Sequence, residues 1–237
     1  MIKKWLGLSL LVVLFNFCSY VVSGQDTQQT AHSVADTIQQ EDHNSHYLKP
    51  ITWIIPGTFL VYGALKPVVN GIQQLDNDIM TQVKKNYRSF HTNAEEYIMW
   101  APSASVYLMD AFKVNTKYSF QEHLLLDAGS IIVTGAIGYV MRKVTRNIKE
   151  YNMQGTKFPS GHTANAFRGA EILHQELKDS HKLLSYCGYL PAVAVGVLRI
   201  YNKDHLLTEV LAGAGLGILS TKLTYWVFDK VKFRKKR

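Results

Sequence analysis

Two short stretches hold the residue types that could do chemistry. The first, from Phe158 to Phe167, reads FPSGHTANAF, a Pro-Ser-Gly turn running straight into His162 and a helix-like segment. The second reads GVLRIYNKDHLLTEVLAGAGLG. In it Arg199 ends one apolar helix, His205 opens the next, and Glu209 follows at i+4 on the same helical face. A carboxylate so placed holds an imidazole in one tautomer and raises its basicity. Upstream, RKVTRNIKE closes another apolar run and carries Arg142 and Lys149. Each feature alone has a plain reading, since Pro-Ser-Gly is an ordinary turn and a lone histidine at a helix start is usually structural. Two histidines, each beside arginine or lysine where apolar helices break, point instead to acid–base work on an anionic substrate.

Six stretches read as the helices that must position these residues: 51–65, 97–112, 126–141, 162–177, 183–198 and 206–228. Between the first two, Ile72, Leu75, Ile79, Val83 and Tyr87 recur at helical spacing with charges between them. No run alternates as a strand would, so the fold class is all-α. If the helices alternate in direction, the cations and histidines fall at one end of the bundle. Most of the stretches reach roughly 23–27 Å, slightly short of the ~30 Å hydrocarbon core of a bilayer. Dense Gly and Ala in AGSIIVTGAIGYV and VLAGAGLGILS suit helices packed closely in lipid. The terminal KVKFRKKR would anchor on the cytoplasmic side. Gly213, Gly215 and Gly217 lack dinucleotide-loop spacing.

The 237 residues carry a formal charge of +8, which suits nucleic acid, anionic lipid or phosphorylated substrates. Mean hydropathy is −0.05, so any membrane spans are diluted by polar connections. Residues 1–24 are laid out as a bacterial signal peptide, with Lys3 and Lys4, an apolar run and small residues before Gln25. An uncleaved anchor helix is the alternative. Export argues against a nucleic-acid partner, and loss of Cys18 with the signal leaves Cys187 unable to form an intramolecular disulfide. Residues 25–46 are polar and read as a flexible tether, in which His43 and His46 are solvated rather than metal ligands. Residues 47–237 form the helical domain. His123 and His174 stand alone on helical stretches and read as structural or solvated. There is no zinc-type Cys/His cluster.

The arrangement resembles the type 2 phosphatidic acid phosphatase and vanadium haloperoxidase superfamily over residues 47–228. That family carries Lys-x6-Arg-Pro, then Pro-Ser-Gly-His, then Ser-Arg-x5-His-x3-Asp. The middle motif is intact as Pro159, Ser160, Gly161 and His162, and the third appears as Leu198, Arg199, His205 and Glu209. The resemblance implies a membrane-embedded helical bundle in which His205 is the nucleophile, Glu209 orients it, and His162 protonates the leaving group. It implies that Arg142, Lys149, Ser160, Gly161 and Arg199 bind phosphate, with backbone N–H groups at the helix start receiving its oxygens. No metal or other cofactor is implied, and no obligate protein partner is evident.

Several positions depart from the family pattern. Arg142 and Lys149 stand as if the family lysine and arginine had exchanged, which loses a bidentate phosphate contact. Glu150 follows in place of proline, Leu198 replaces serine, and Glu209 replaces aspartate. Aligning Lys143 instead would put Glu150 at the arginine position. The expected activity is hydrolysis of a phosphomonoester or diphosphate on a membrane lipid through a phosphohistidine. Candidate substrates are the lipid A 4′-phosphate, undecaprenyl diphosphate, phosphatidylglycerophosphate and phosphatidic acid. The expected location is the bacterial inner membrane, with the active site facing the periplasm. Stretch 51–65, short and interrupted by Pro56 and Gly57, is expected not to cross, leaving five spans. The alternatives are a soluble periplasmic acid phosphatase, a haloperoxidase that would need vanadate, and a lipid-phosphate binder without turnover.

Overall fold

Helix follows helix, with no strand among the described residues, which in this computed structural model are 51–152 and 157–234. The signal and tether stretches, and the last three residues of the basic tail, lie outside them. The helices are α1 (Ile51–Ala64), α2 (Asn70–Asn86), α3 (Ala94–Ile98), α4 (Ala101–Ala111), α5 (Phe120–Thr145), α6 (Lys149–Asn152), α7 (Gly161–Leu177), α8 (Tyr189–Tyr201) and α9 (Leu207–Arg234).

Several stretches differ from the sequence reading, three of them for a plain local reason. Stretch 97–112 is two helices, because Pro102, with no N–H to donate, suits the first turn of a new helix. Stretch 51–65 is not interrupted, since α1 runs straight through Pro56. Stretch 126–141 is the middle of a 26-residue helix. That helix begins earlier because Ser119 and Glu122 form a capping box, with the Ser119 N–H donating to Glu122 Oε2 at 3.1 Å.

The central element is α9, which packs against α7, α1, α5 and α8. Its glycines make this possible on two faces. A methyl group on Gly217 would lie 2.2 Å from the Ala164 carbonyl oxygen, and one on Gly213 would lie 2.5 Å from that of Ser160. Here α9 meets the backbone of α7. On the other face a methyl on Gly215 would lie 2.5 Å from the Pro56 carbonyl oxygen, so α1 lies equally close. The dense small residues therefore work as backbone-to-backbone contacts.

Among the described residues, three segments are long and apolar enough to cross a membrane: Phe120–Thr145, Leu184–Tyr201 and Leu207–Lys232. The first turns Leu125, Ile132, Tyr139, Val140 and Val144 outward, an apolar stripe suited to lipid tails. Helix α7 is different. It buries Arg168, Glu171 and Glu176 inside the bundle, where each has a partner on a neighbouring helix. Arg168 pairs with Asp127 and Ser130, Glu171 with Lys222 at 2.9 Å, and Glu176 accepts from Tyr225 at 2.6 Å. His123 is fully buried, with Asp110 2.6 Å and Glu176 2.9 Å from its two ring nitrogens. His174 lies 3.0 Å from the Ser185 hydroxyl. Both histidines are structural, as expected, but neither stands alone.

Candidate active site

The connections between α5 and α7 and between α8 and α9 meet at one end of the bundle. Between them is a cavity of about 460 Å³ lined by Arg142, Lys157, Gly161, His162, Arg199, Asp204 and His205, with Met99, Pro159 and Asn165. Arg142 comes from the last turn of α5, His162 from the first turn of α7, Arg199 from the last turn of α8, and His205 from just before α9. The alternation of helix direction thus brings these residues together, as the sequence predicts.

His205 is held at its ring and at its backbone. Its ring Nδ1 lies 2.8 Å from Glu209 Oε2, and its backbone N–H donates to the Arg199 carbonyl at 3.2 Å. The same Glu209 oxygen accepts the Leu206 N–H at 3.2 Å. A carboxylate accepts only, so Nδ1 carries the proton and Nε2 keeps a lone pair. The preceding turn places Lys203 in the left-handed region at φ 65°. Its ammonium donates to the carbonyls of Arg88 at 3.2 Å and Phe90 at 2.9 Å.

The start of α9 is fixed by α2. Asp76 accepts from the Thr208 N–H at 3.1 Å and its hydroxyl at 2.6 Å, satisfying donors at the first turn. Lys66, buried to 2% exposure, offsets the Asp76 charge from 3.5 Å. The Pro-Ser-Gly turn is tied to the same place, for the Ser160 N–H donates to the Glu209 carbonyl at 3.0 Å. The His205 loop and the Pro-Ser-Gly turn are therefore linked through one residue, Glu209.

His162 sits at the cavity wall. Burial, with the Arg199 guanidinium nearby, pushes its pKa below the ordinary 6.5. The Glu95 carboxylate, and more weakly Glu96, pull the other way, and His205 adds to the lowering. Arg199 bonds through Nη1 to Glu95 Oε1 at 3.2 Å and Asp204 Oδ2 at 3.0 Å.

Of the eight site residues expected from sequence, five line the cavity: Arg142, Gly161, His162, Arg199 and His205. Glu209 stands directly behind His205. Ser160 does not line it; its hydroxyl is fully buried and lies 2.9 Å from the Thr163 hydroxyl. Lys149 does not line it either, being an exposed residue at the start of α6. The lysine that does line the cavity is Lys157, which the motif spacing does not select. Asn165 and Asp204 were equally unmarked. Leu198, where the family has serine, packs against the apolar core around Ala166 and Val195.

Comparison with known proteins agrees with this geometry. Residues 105–233 match the PAP2 superfamily. Over 145 residues the chain is 31% identical to the lipid A 1-phosphatase of Porphyromonas gingivalis, covering 60% of this chain and 32% of that protein. It is 36% identical over 88 residues to phosphatidylglycerophosphatase B of Bacillus subtilis, covering 33% of this chain and 43% of that one. The matched stretches thus span well under two thirds of these relatives' length. The crystal structure of a transmembrane PAP2 type phosphatidylglycerolphosphate phosphatase from Bacillus subtilis superposes with a TM-score of 0.51 at 23% identity. That match covers 77% of this chain and 97% of the other and speaks to the fold. With a family match over more than half its residues and the same helical bundle, this membrane protein belongs to the PAP2 superfamily.

Proposed function

We propose that this protein is a metal-independent phosphatase of membrane lipids, working through a phosphohistidine. One observation carries the reading. His205, its Nδ1 occupied by Glu209, opens onto a cavity that also holds His162 and the cations Arg142, Lys157 and Arg199. The free Nε2 lone pair attacks phosphorus and forms a P–N bond, while the bond from phosphorus to the lipid oxygen breaks. His162 passes its proton to that oxygen. Water then attacks the phosphohistidine, giving a proton back to His162, and the P–N bond breaks to release phosphate. The cations and the N–H groups at the start of α7 hold the equatorial oxygens during both steps.

The substrate class follows from the surroundings. The cavity opens where the membrane helices end, so a phosphate on a lipid headgroup reaches it without leaving the bilayer. The named activities of the relatives, on lipid A and phosphatidylglycerophosphate, support this class. The basic tail at the far end of α9 supports an inner-membrane protein whose cavity faces the periplasm.

The test is phosphate release by full-length protein in vesicles containing lipid A, phosphatidylglycerophosphate, undecaprenyl diphosphate or phosphatidic acid. Turnover is expected for at least one and should survive chelators, since Arg and Lys side chains supply the charge. His205→Ala is expected to abolish it while retaining vanadate binding, and mass spectrometry of quenched wild-type protein should find phosphate on His205. No release from any of the lipids would sink the reading.

A further inference from the structure

Glu95 lies on α3, outside the matched family residues and outside every motif described above. It is buried to 2% exposure, and its Oε1 accepts from Arg199 Nη1 at 3.2 Å and Asn202 Nδ2 at 2.7 Å. Its Oε2 is buried without a hydrogen-bond partner. Asn202 is bracketed in turn by Thr92, whose N–H it accepts at 3.0 Å and whose carbonyl it donates to at 2.7 Å. Segment 92–95 thus clasps the end of α8 from which the His205 loop departs.

A buried carboxylate against an anion-binding arginine is costly twice over. It must be desolvated, and it repels the incoming phosphate. The Asn202 bond does not explain the charge, because a neutral amide oxygen at Oε1 would accept it equally well. The charge is explained if it acts on the cavity. Arg142, Lys157 and Arg199 face the cavity with Asp204 as its lining carboxylate, so phosphate released there meets three cations. We propose that Glu95 is a positioning residue that fixes Arg199 from behind and cancels part of its charge, so that the site releases phosphate. The groups that bear on His162 are Arg199, His205, Glu95 and Glu96, with Arg142, Lys157 and Asp204 lining the same cavity. Of these Glu95 is the stronger of the two carboxylates that favour the protonated form. This rests on the phosphatase reading above.

The experiment compares wild type, Glu95→Gln and Glu95→Asp, using full-length protein in detergent for inorganic phosphate binding and in vesicles for turnover. Glu95→Gln keeps the shape and loses the charge. It is expected to bind phosphate about fivefold more tightly and to move the alkaline limb of kcat/KM to lower pH, with kcat falling about tenfold. Glu95→Asp keeps the charge on a shorter arm, so it should hold wild-type phosphate affinity within about twofold while losing rate. Weaker or unchanged phosphate binding in Glu95→Gln overturns the proposal, as does tighter binding in Glu95→Asp. Absence of wild-type turnover would instead sink the phosphatase reading, and the binding arm would still judge Glu95.

Discussion

In the proposed reaction His162 and His205 need opposite protonation states at the same moment, one to give a proton and the other to attack. The profile of kcat/KM against pH is therefore expected to be bell-shaped. Its alkaline limb reports the loss of the His162 proton in the free enzyme. Because burial and Arg199 lower that pKa, the limb is expected below pH 6.5, making this an acid-side enzyme. A limb clearly above that value would show that His162 is not the donor. The cations give a second expectation. Lys157→Ala should lower kcat/KM by about 10²-fold, the usual loss for one preorganised phosphate donor. Lys149→Ala should cost less than about fivefold, as for a solvated surface charge. The reverse order would restore the motif spacing as the guide. That spacing passes over Lys157 for a physical reason. Helix α5 ends at Thr145 and the chain turns, carrying Lys149 off to α6. Lys157 left a usable signal nonetheless, a cation two residues before Pro159. The histidines and Glu209 were legible because their chemistry is local. Two side chains one helical turn apart meet whatever the rest of the fold does.

Helix interiors were legible too, and their ends and partners less so. Periodicity marks apolar runs, but Arg168, Glu171 and Glu176 make α7 look unlike a buried helix in sequence. Only the partners on α5 and α9 make its burial possible. Pro56 looked like an interruption and is not, since a proline costs a helix one bond and the close docking of α1 on α9 offsets it. The glycines of α9 carry the sharpest expectation at this scale. Gly217→Ala inserts a methyl 2.2 Å from the Ala164 carbonyl oxygen, so α7 and α9 must move apart. Overpacking of this kind costs about 1–3 kcal/mol, visible as a lower thermal midpoint. Since His162 and His205 ride on those two helices, kcat should fall about 10²-fold with the protein still folded. Gly57→Ala, where an added methyl meets nothing, is the control and should be neutral. Equal losses at both positions would remove the packing explanation.

At the scale of the molecule, the cavity lies at one end of the bundle and the chain terminates at the other. Helix α9 starts beside His205 and runs 28 residues, about 42 Å, to the basic tail. A carboxy-terminal fluorescent-protein fusion is expected to glow, and a carboxy-terminal alkaline phosphatase fusion to stay inactive. An active alkaline phosphatase would put the cavity on the cytoplasmic side. The amino-terminal segments enter here in a way the sequence hid. Amphipathic periodicity announced α2, yet nothing announced that its Asp76 would hold the first turn of α9, because that contact joins residues 132 apart. The stripe of Leu125, Ile132, Tyr139 and Val144 on α5 has a kinetic consequence. If its substrate is a lipid phosphate, as proposed, a protein dissolved in tails along its flank, with its cavity among headgroups, searches in two dimensions. What then governs its encounter rate is the mole fraction of phosphorylated lipid in the leaflet, and the volume of water around the membrane is irrelevant to it.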